Sequence, residues 1–288
     1  MSIESPVIGY TLGDQAGIGP EVIRAALPHC PSGAEYRLIG TQKNFALGQP
    51  SIESAKVAAE HLELAAAALH SGEIDAVVTA PVCKETLHKV GFNFPGQTEF
   101  FAARMGVSNY AMCLTGRHIT TVLCTTHTAL ADVPQLLKTD EIVRVAALLT
   151  IFLKRTGIHT PRIALAGLNP HNGEAGAFGD EEQRLIAPAL PHLQALLPYA
   201  EFSGPCVPDC VYRDAAMGLY DGVVAPYHDQ ALIPLKLLDF DNAVNATIGL
   251  PRLRVSPDHG TAFSIAGKGI ANPASTIRAF EVAFNSVV

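Results

Sequence analysis

Three histidines stand at turns, each beside a tight turn or a carboxylate: Thr126-His127, Pro170-His171 and His228-Asp229. Three neutral imidazoles can share one Zn2+, Co2+, Ni2+ or Mn2+ ion and leave coordination positions open for a substrate oxygen. The three lie far apart along the chain and match no local zinc-binding spacing, so residue type alone leaves a second reading standing, in which they are loop histidines that hydrogen-bond at the surface. Polar and glycine-rich clusters mark Gly13–Glu21, Pro95–Glu99, Thr125–Thr128, Leu168–Glu174, Tyr227–Gln230 and Ser256–Thr261, the last running into Ala266–Pro273. In α/β proteins such loops converge beyond the carboxyl ends of the strands, where ligands bind. The run Gly13–Glu21 reads equally as an anion site at a helix start or as a tight strand-to-helix connection. No GxGxxG follows a strand and no GxxxxGK[ST] occurs, which argues against Rossmann and P-loop sites. No GxSxG is present to carry a nucleophilic serine.

The elements that must position these loops are short apolar runs alternating with helical stretches. Strands are predicted at Pro6–Leu12, Ile74–Thr79, His118–Thr125, Arg162–Gly167 and Gly222–Ala225. Helices are predicted at Pro20–Leu27, Ser54–His70, Asp140–Arg155 and Ala274–Asn285, with a further one, Glu181–Leu196, interrupted by Pro188 and Pro191. Repeated strand–helix alternation implies a three-layer α/β fold with a largely parallel sheet. No linker, charge block or repeat marks a boundary, so residues 1–288 are expected to form one unit of two intertwined lobes.

Hydrophobic residues make up 48% of the chain and charged residues 16%, a balance that leaves little room for disorder. A net charge of −7 with no Lys/Arg cluster argues against nucleic acid as a partner, while a small anion needs only two or three placed cations. The N-terminus lacks a basic segment followed by an apolar run, and no apolar stretch is long enough to cross a bilayer, so neither a signal peptide nor membrane association is expected. Cys30, Cys83, Cys113, Cys124, Cys206 and Cys210 form no CxxC pair and read as reduced thiols of a cytoplasmic protein.

At the polar loops the sequence resembles the 4-hydroxythreonine-4-phosphate dehydrogenase family, whose fold is that of the isocitrate and isopropylmalate dehydrogenases. The matching stretches are TLGDQAGIGPE (11–21), IDAVVTAPVCKETLHKVGFNFPGQTEF (74–100), TTHTALADVP (125–134), GLNPHNGE (167–174), YHDQALIPLK (227–236) and GLPRLRVSPDHGTAFSIAGKG (249–269). They span the chain in the family's order. HGTAFSIAGKGIANP (259–273) is also similar to the adenosine-binding loop of isopropylmalate dehydrogenases.

The resemblance implies a divalent metal (Zn, Mg, Mn, Co or Ni) on His127, His171 and His228, the first two from one subunit of a homodimer and the third from its partner. It implies substrate contacts at Gln97, Thr98, Lys236, Asn245 and Arg254, and an NAD or NADP loop through His259, Gly260, Thr261 and Asn272. The implied reaction is oxidation of a phosphorylated hydroxy amino acid such as 4-phosphohydroxy-L-threonine, with loss of a β-carboxylate, in pyridoxal phosphate biosynthesis. Lys236 and Arg254 would supply charge for the phosphate, Arg254 bidentately. Asp229 would orient its neighbouring ligand or relay a proton. A paralogue acting on a phosphorylated four-carbon sugar acid or a cis-dihydrodiol carboxylate is the enzymatic alternative, and a non-catalytic metal- or ligand-binding protein the other.

Several departures from the family stand out. Gln97 replaces a histidine, Ser264 replaces an acidic residue, Gln15 a proline and Asn172 an alanine, and the chain is some tens of residues short between Gly40 and Gly48. An acidic residue at 264 would repel a 2′-phosphate; Ser264 removes that repulsion and should loosen any preference for NAD over NADP.

Overall fold

The computed structural model describes residues 5–288; the first four residues, which carry part of the reading of the N-terminus, lie outside them. Among the described residues the strands are β1 Val7–Thr11, β2 Glu35–Leu38, β3 Ala76–Thr79, β4 Ala111–Thr115, β5 Thr120–Leu123, β6 Arg162–Ala166, β7 Glu201–Cys206, β8 Gly222–Ala225, β9 Val244–Ile248 and β10 Leu253–Pro257. The helices are α1 Gly19–Ala26, α2 Ile52–Ser71, α3 Lys84–Lys89, α4 Gln97–Arg104, α5 Val133–Leu136, α6 Thr139–Arg155, α7 Ala189–Leu196, α8 Pro208–Ala216, α9 His228–Asp239 and α10 Ala274–Asn285. Two compact units result. Met1–Asn109 with Val244–Val288 make the first, and Tyr110–Ala243 make the second.

In the first unit the strands run in the order β2-β1-β3-β10-β9. The first four are mutually parallel and β9 is antiparallel to β10. Every residue of β3 is buried, which is why that strand is an unbroken apolar run rather than an alternating one. Helix α2 starts at a reciprocal cap. Ser54 N–H donates to Ser51 Oγ at 3.0 Å and Ser51 N–H to Ser54 Oγ at 3.2 Å. It ends at Gly72, whose φ of 83° suits a residue without Cβ. Its face of Ala55, Ala58, Leu62, Ala65 and Leu69 is buried at helical spacing.

In the second unit the order is β4-β5-β8-β6-β7, with β5, β8, β6 and β7 parallel and β4 antiparallel to β5. The core here includes Leu114, Ile119, Leu123, Val223 and Leu235. Asp239, fully buried at the end of α9, accepts the backbone N–H groups of Arg117, His118 and Ile119 at 3.1, 2.9 and 3.2 Å. His118 Nδ1 lies 2.8 Å from the same carboxylate. Burial alone would raise its pKa, but these hydrogen bonds outweigh burial and hold it below the usual carboxylate value. Asp239 thereby pins the helix that begins at His228 to the β4–β5 hairpin.

The mixed α/β layout with a mostly parallel sheet is as predicted. The stretch Glu181–Leu196 divides into a wide turn at Glu182–Ile186 and α7, with Pro188 at the junction. Proline lacks the N–H that a continuous helix requires there. Sequence reading placed a loop at Tyr227–Gln230, whereas His228 is the first residue of α9, which tolerates Pro234 within it.

The shortened stretch after Gly40 is irregular but firmly tied. Buried Gln15 donates through Nε2 to Thr41 O at 2.9 Å and accepts Lys43 N–H on Oε1 at 2.8 Å. His61 on α2 accepts Thr41 N–H on Nε2 at 3.0 Å, and Gly48 N–H donates to Ala16 O at 2.8 Å. A Cβ on Gly40 would collide with the His61 ring, so the chain can pass there only as glycine. A proline at position 15 could not make the two side-chain bonds, so the substitution and the shortening belong together.

His61 is 2% exposed, and burial, with a further push from Lys43 against a pull from Glu60, lowers its pKa. As pH falls below the ordinary imidazole value of about 6.5, the unfolded chain therefore takes up a proton that the folded chain refuses, and stability drops. The fall in melting temperature between pH 7.5 and pH 5.5 should accordingly be smaller in His61→Gln than in the native chain. Equal falls in the two would remove His61 as a source of acid sensitivity.

Candidate functional site

The three histidines follow three neighbouring parallel strands. Strand order β5-β8-β6 puts the carboxyl ends of these strands side by side, and the segments that leave them carry His127, His228 and His171 in turn. Pairing of the first two continues beyond the strands. Cys124 N–H donates to Ala225 O at 2.9 Å, and Thr125 Oγ1 to Pro226 O at 2.8 Å. The His127 and His228 rings consequently sit with centroids 5.9 Å apart, close enough for both to face one ion.

His171 is held differently. Residues 171–175 all have positive φ, 51° at His171 and 55° at Asn172, so the loop makes a left-handed turn. Asparagine adopts that conformation more readily than alanine, which accounts for Asn172. Its Nδ2 also donates to Pro205 O at 2.7 Å. The turn is anchored by Glu182, 2% exposed, which accepts the N–H groups of Leu168 and Asn169 at 2.7 and 2.6 Å. Burial pushes the Glu182 carboxyl up, and the bonds from Asn169 and Leu168 more than reverse it. Gln230, two residues into α9 from His228, donates to Gly167 O at 2.7 Å and so links the helix to the same loop.

A carboxylate stands at Nδ1 of two of these imidazoles, Asp229 Oδ1 at 2.6 Å from His228 and Glu174 Oε1 at 3.0 Å from His171. Glu174 raises the pKa of His171. With Nδ1 engaged, Nε2 is the atom left to face a ligand, the arrangement found where histidine binds metal. The donor set therefore suits a divalent ion. Among the described residues, however, no three His, Cys, Asp or Glu side chains of the single chain gather into a metal-binding group. The chain closes His127 onto His228, while the resemblance had implied a subunit pair of His127 and His171.

A second polar group lies in the first unit. Arg254 on β10 is 3% exposed and pairs in register with Thr247 on β9. Its Nε donates to Thr79 Oγ1 at 2.9 Å and its Nη1 lies 3.5 Å from Thr247 Oγ1, which in turn lies 3.2 Å from Thr98 Oγ1 at the start of α4. The guanidinium sits 5.9 Å from the Phe101 ring. Burial pushes its pKa down to about 9, against a smaller lift from Glu99, so it remains charged at neutral pH. Its bonding partners are hydroxyls. Asn245 shares the Thr247 face of β9, and both Asn245 Oδ1 and Gln97 Oε1 are buried without partners. A buried guanidinium hydrogen-bonded to hydroxyls, with no ion pair among the described residues, can receive an anion, while the open Asn245 and Gln97 oxygens are acceptors that would take hydrogen bonds from a ligand's donors. Lys236, on α9 of the second unit, has its Nζ 5.8 Å from the Phe240 ring.

The loop at 259–273 is also in the first unit. His259 Nδ1 lies 3.0 Å from Gly260 O, so it carries the hydrogen, and its buried Nε2 has no partner. That atom can accept a ribose hydroxyl, so the loop suits a nucleotide. Thr261 O accepts Ile18 N–H at 2.9 Å, which ties the loop to the glycine-rich turn before α1. Glu21 accepts the N–H groups of Gly267 and Ala271 at 3.0 and 3.4 Å. Asn272 Oδ1 accepts Ala274 N–H at 3.0 Å, a structural task at the start of α10. Sequence reading missed Thr79, Thr247, Phe101, Glu182 and Gln230. Only Gln230 stood in a cluster already singled out.

All six cysteines are free, and burial raises the thiols of Cys113 and Cys124 far above their usual pKa. Among the described residues no helix is long and apolar enough to cross a membrane.

With this geometry in place the fold class is clear from solved structures. Isocitrate dehydrogenase from Methylococcus capsulatus matches at TM-score 0.52 and 16% identity over 95% of this chain and 83% of that one, a likeness of fold alone. A crystal structure of 4-hydroxythreonine-4-phosphate dehydrogenase from Klebsiella pneumoniae matches at TM-score 0.84 and 36% identity, covering 100% and 99%. The molecule is thus an α/β protein of the isocitrate dehydrogenase-like class. The family model for pyridoxal phosphate biosynthetic protein PdxA matches residues 21–283. The chain belongs to the PdxA family.

Its curated relatives include 4-hydroxythreonine-4-phosphate dehydrogenase of Desulfosudis oleivorans, 40% identical over 325 residues covering 97% of this chain and 96% of that one. They also include D-threonate 4-phosphate dehydrogenase of Pectobacterium atrosepticum, 38% identical over 97% and 98%. The first alignment is longer than this chain's 288 residues, so the relative carries tens of residues that this chain lacks.

The anion receptor can be tested without knowledge of the substrate. Inorganic phosphate should raise the melting temperature of the native chain, and Arg254→Met should weaken phosphate binding roughly tenfold or more. Without phosphate, Arg254→Met should be no less stable than the native chain, since it replaces an unmatched buried charge. The same phosphate-induced shift in both proteins would rule Arg254 out as the receptor.

Proposed function

We propose that this chain is a metal-dependent, NAD(P)-linked dehydrogenase that oxidises a phosphorylated four-carbon hydroxy acid, with loss of a β-carboxylate as CO2. The observation that carries the reading is Arg254, a buried guanidinium whose hydrogen bonds go to the hydroxyls of Thr79 and Thr247. It receives the substrate phosphate with Thr98, and family resemblance gives Lys236 a substrate contact as well. His127, His228 and His171 hold the divalent ion, and His259, Gly260, Thr261 and Asn272 form the nucleotide loop. When bound, the metal supplies Lewis-acid polarisation of the substrate oxygen and the nicotinamide accepts the hydride. Asp229 holds His228 with Nε2 forward.

Gln97 bears on which acid is used. A histidine there can become cationic beside a phosphate, whereas glutamine offers a neutral amide, a difference of about 1 kcal/mol or several-fold in affinity. The acids to compare are D-threonate 4-phosphate, the substrate named for one relative, and 4-phosphohydroxy-L-threonine; both carry the phosphate, so Gln97 separates them only if it stands near the C2 hydroxyl or amine that distinguishes them. In that case the native chain should turn over 4-phosphohydroxy-L-threonine poorly and D-threonate 4-phosphate better, and Gln97→His should raise activity on 4-phosphohydroxy-L-threonine. A kcat/KM on 4-phosphohydroxy-L-threonine near ~10^4 M−1 s−1 or above in the native chain would make Gln97 a neutral exchange.

Family resemblance supports a homodimer with a shared site, in which one protomer supplies His127 and His171 and the other completes it with the partner subunit's His228. Mixing His127→Ala with His228→Ala should then restore part of the activity and of the metal binding, because one site of the mixed dimer is intact. His127→Ala mixed with His171→Ala should stay dead. Rescue of the second mixture and not the first would instead assign His127 and His228, whose rings lie 5.9 Å apart in the single chain, to one protomer's share of the site. Rescue of neither, with subunits shown to exchange, would mean that the site is not shared.

A further inference from the structure

A groove of about 270 Å3 lies in the first unit where the shortened segment meets the loop at 259–273. Glu21, Arg24, Lys43, Asn44, Phe45 and Gly269 are among the residues that line it. Its volume is just below that of pockets that enclose a whole drug-sized ligand, so it suits part of one. The segment rests directly on the loop. A Cβ on Gly267 would meet Leu47 Cδ1, and one on Gly48 would stand 3.0 Å from Phe263 O. Phe263 begins the turn Phe263–Ile265 that carries exposed Ser264.

The charges in the groove are unbalanced. Glu21 spends both carboxylate oxygens on the N–H groups of Gly267 and Ala271. Arg24 and Lys43 are exposed and, among the described residues, neither takes part in an ion pair. Lys43 is held at the backbone, since its N–H donates to Gln15 Oε1 at 2.8 Å. The shortening therefore sets a lysine whose backbone is held, and an aromatic ring, against the nucleotide loop, where Ser264 offers an anion no repulsion.

We propose that this groove binds the 2′-phosphorylated adenosine end of NADP, with Lys43 and Arg24 on the 2′-phosphate, and that it makes NADP the preferred dinucleotide. The inference rests on the nucleotide role given to the loop at 259–273. Charge-assisted hydrogen bonds to a phosphate give roughly tenfold or more in affinity.

Calorimetric titration with adenosine 2′,5′-bisphosphate and with 5′-AMP reads this without turnover. The bisphosphate should bind the native chain roughly tenfold or more tightly than 5′-AMP. Lys43→Ala and Arg24→Ala should each erode that ratio through the bisphosphate alone, and Lys43→Arg should keep it. Fluorescence quenching of NADH and NADPH supplies the control. If NADH and NADPH bind equally well and Lys43→Ala changes neither, or lowers both alike, the groove does not read the 2′-phosphate and the proposal is overturned while the nucleotide reading survives. If neither dinucleotide binds, both fall.

Discussion

A positive charge buried without a matching carboxylate is costly for a fold to keep, and Arg254 is such a charge. Removing a guanidinium from water is offset only where hydrogen bonds and a nearby anion replace the solvent. Here Thr79 and Thr247 replace part of it, and Phe101 contributes its ring. Three features of the first unit follow from holding that charge. Strand β10 runs between β3 and β9, so both threonines reach the same side chain. Helix α4 begins at Gln97, so Thr98 can extend the hydroxyl chain through Thr247. Gln97 and Asn245 keep oxygens buried and open. A unit optimised for stability alone would have put an apolar residue at 254.

The second unit solves a different problem, that of holding imidazoles still in an exposed place. Its answer is to bury carboxylates behind them. Glu182 gathers the backbone of the loop before His171, and Asp239 gathers the hairpin against the far end of the helix that starts at His228. Both carboxylates take backbone N–H groups, which is why both stay ionised in spite of burial. Asp229 and Glu174 then set the ring nitrogens from the solvent side. Rigid support beneath, and a carboxylate beside two of the three rings, is what a pre-formed donor set requires.

Much of this framework was legible in the sequence. The alanine- and leucine-rich run from Ser54 to His70 could only be an amphipathic helix, and Ala274–Asn285 was bounded correctly. The polar clusters marked loops at strand and helix ends, because turn residues gather there. Neighbour relations were not legible. His127 meets His228 because β5 pairs with β8, across a crossover that passes through β6 and β7. Thr79 and Thr247 look like ordinary strand formers until Arg254 is placed against them. Glu182 is one of several acidic residues in a short stretch, and nothing local marks it as the buried one. Helix α9 was hidden by Pro234, which interrupts the apolar period that would have revealed it.

The departures from the family pattern gain meaning once they are read together. Taken singly, Gln15 for proline and a missing segment are a conservative loss and a deletion. In the fold they form one device, because Gln15 and His61 hold the start of a short bridge that leaves Gly40, and Ala16 O accepts Gly48 N–H where it returns. A bridge this short cannot wander from the loop at 259–273, so its residues become part of that loop's surroundings. Lys43 and Phe45 stand there because of the shortening. Ser264 stands on the turn that the bridge covers. A deletion in one part of the chain and a charge-removing substitution in another thus act on one surface, and the chemistry of both changes points the same way, towards a more anionic ligand.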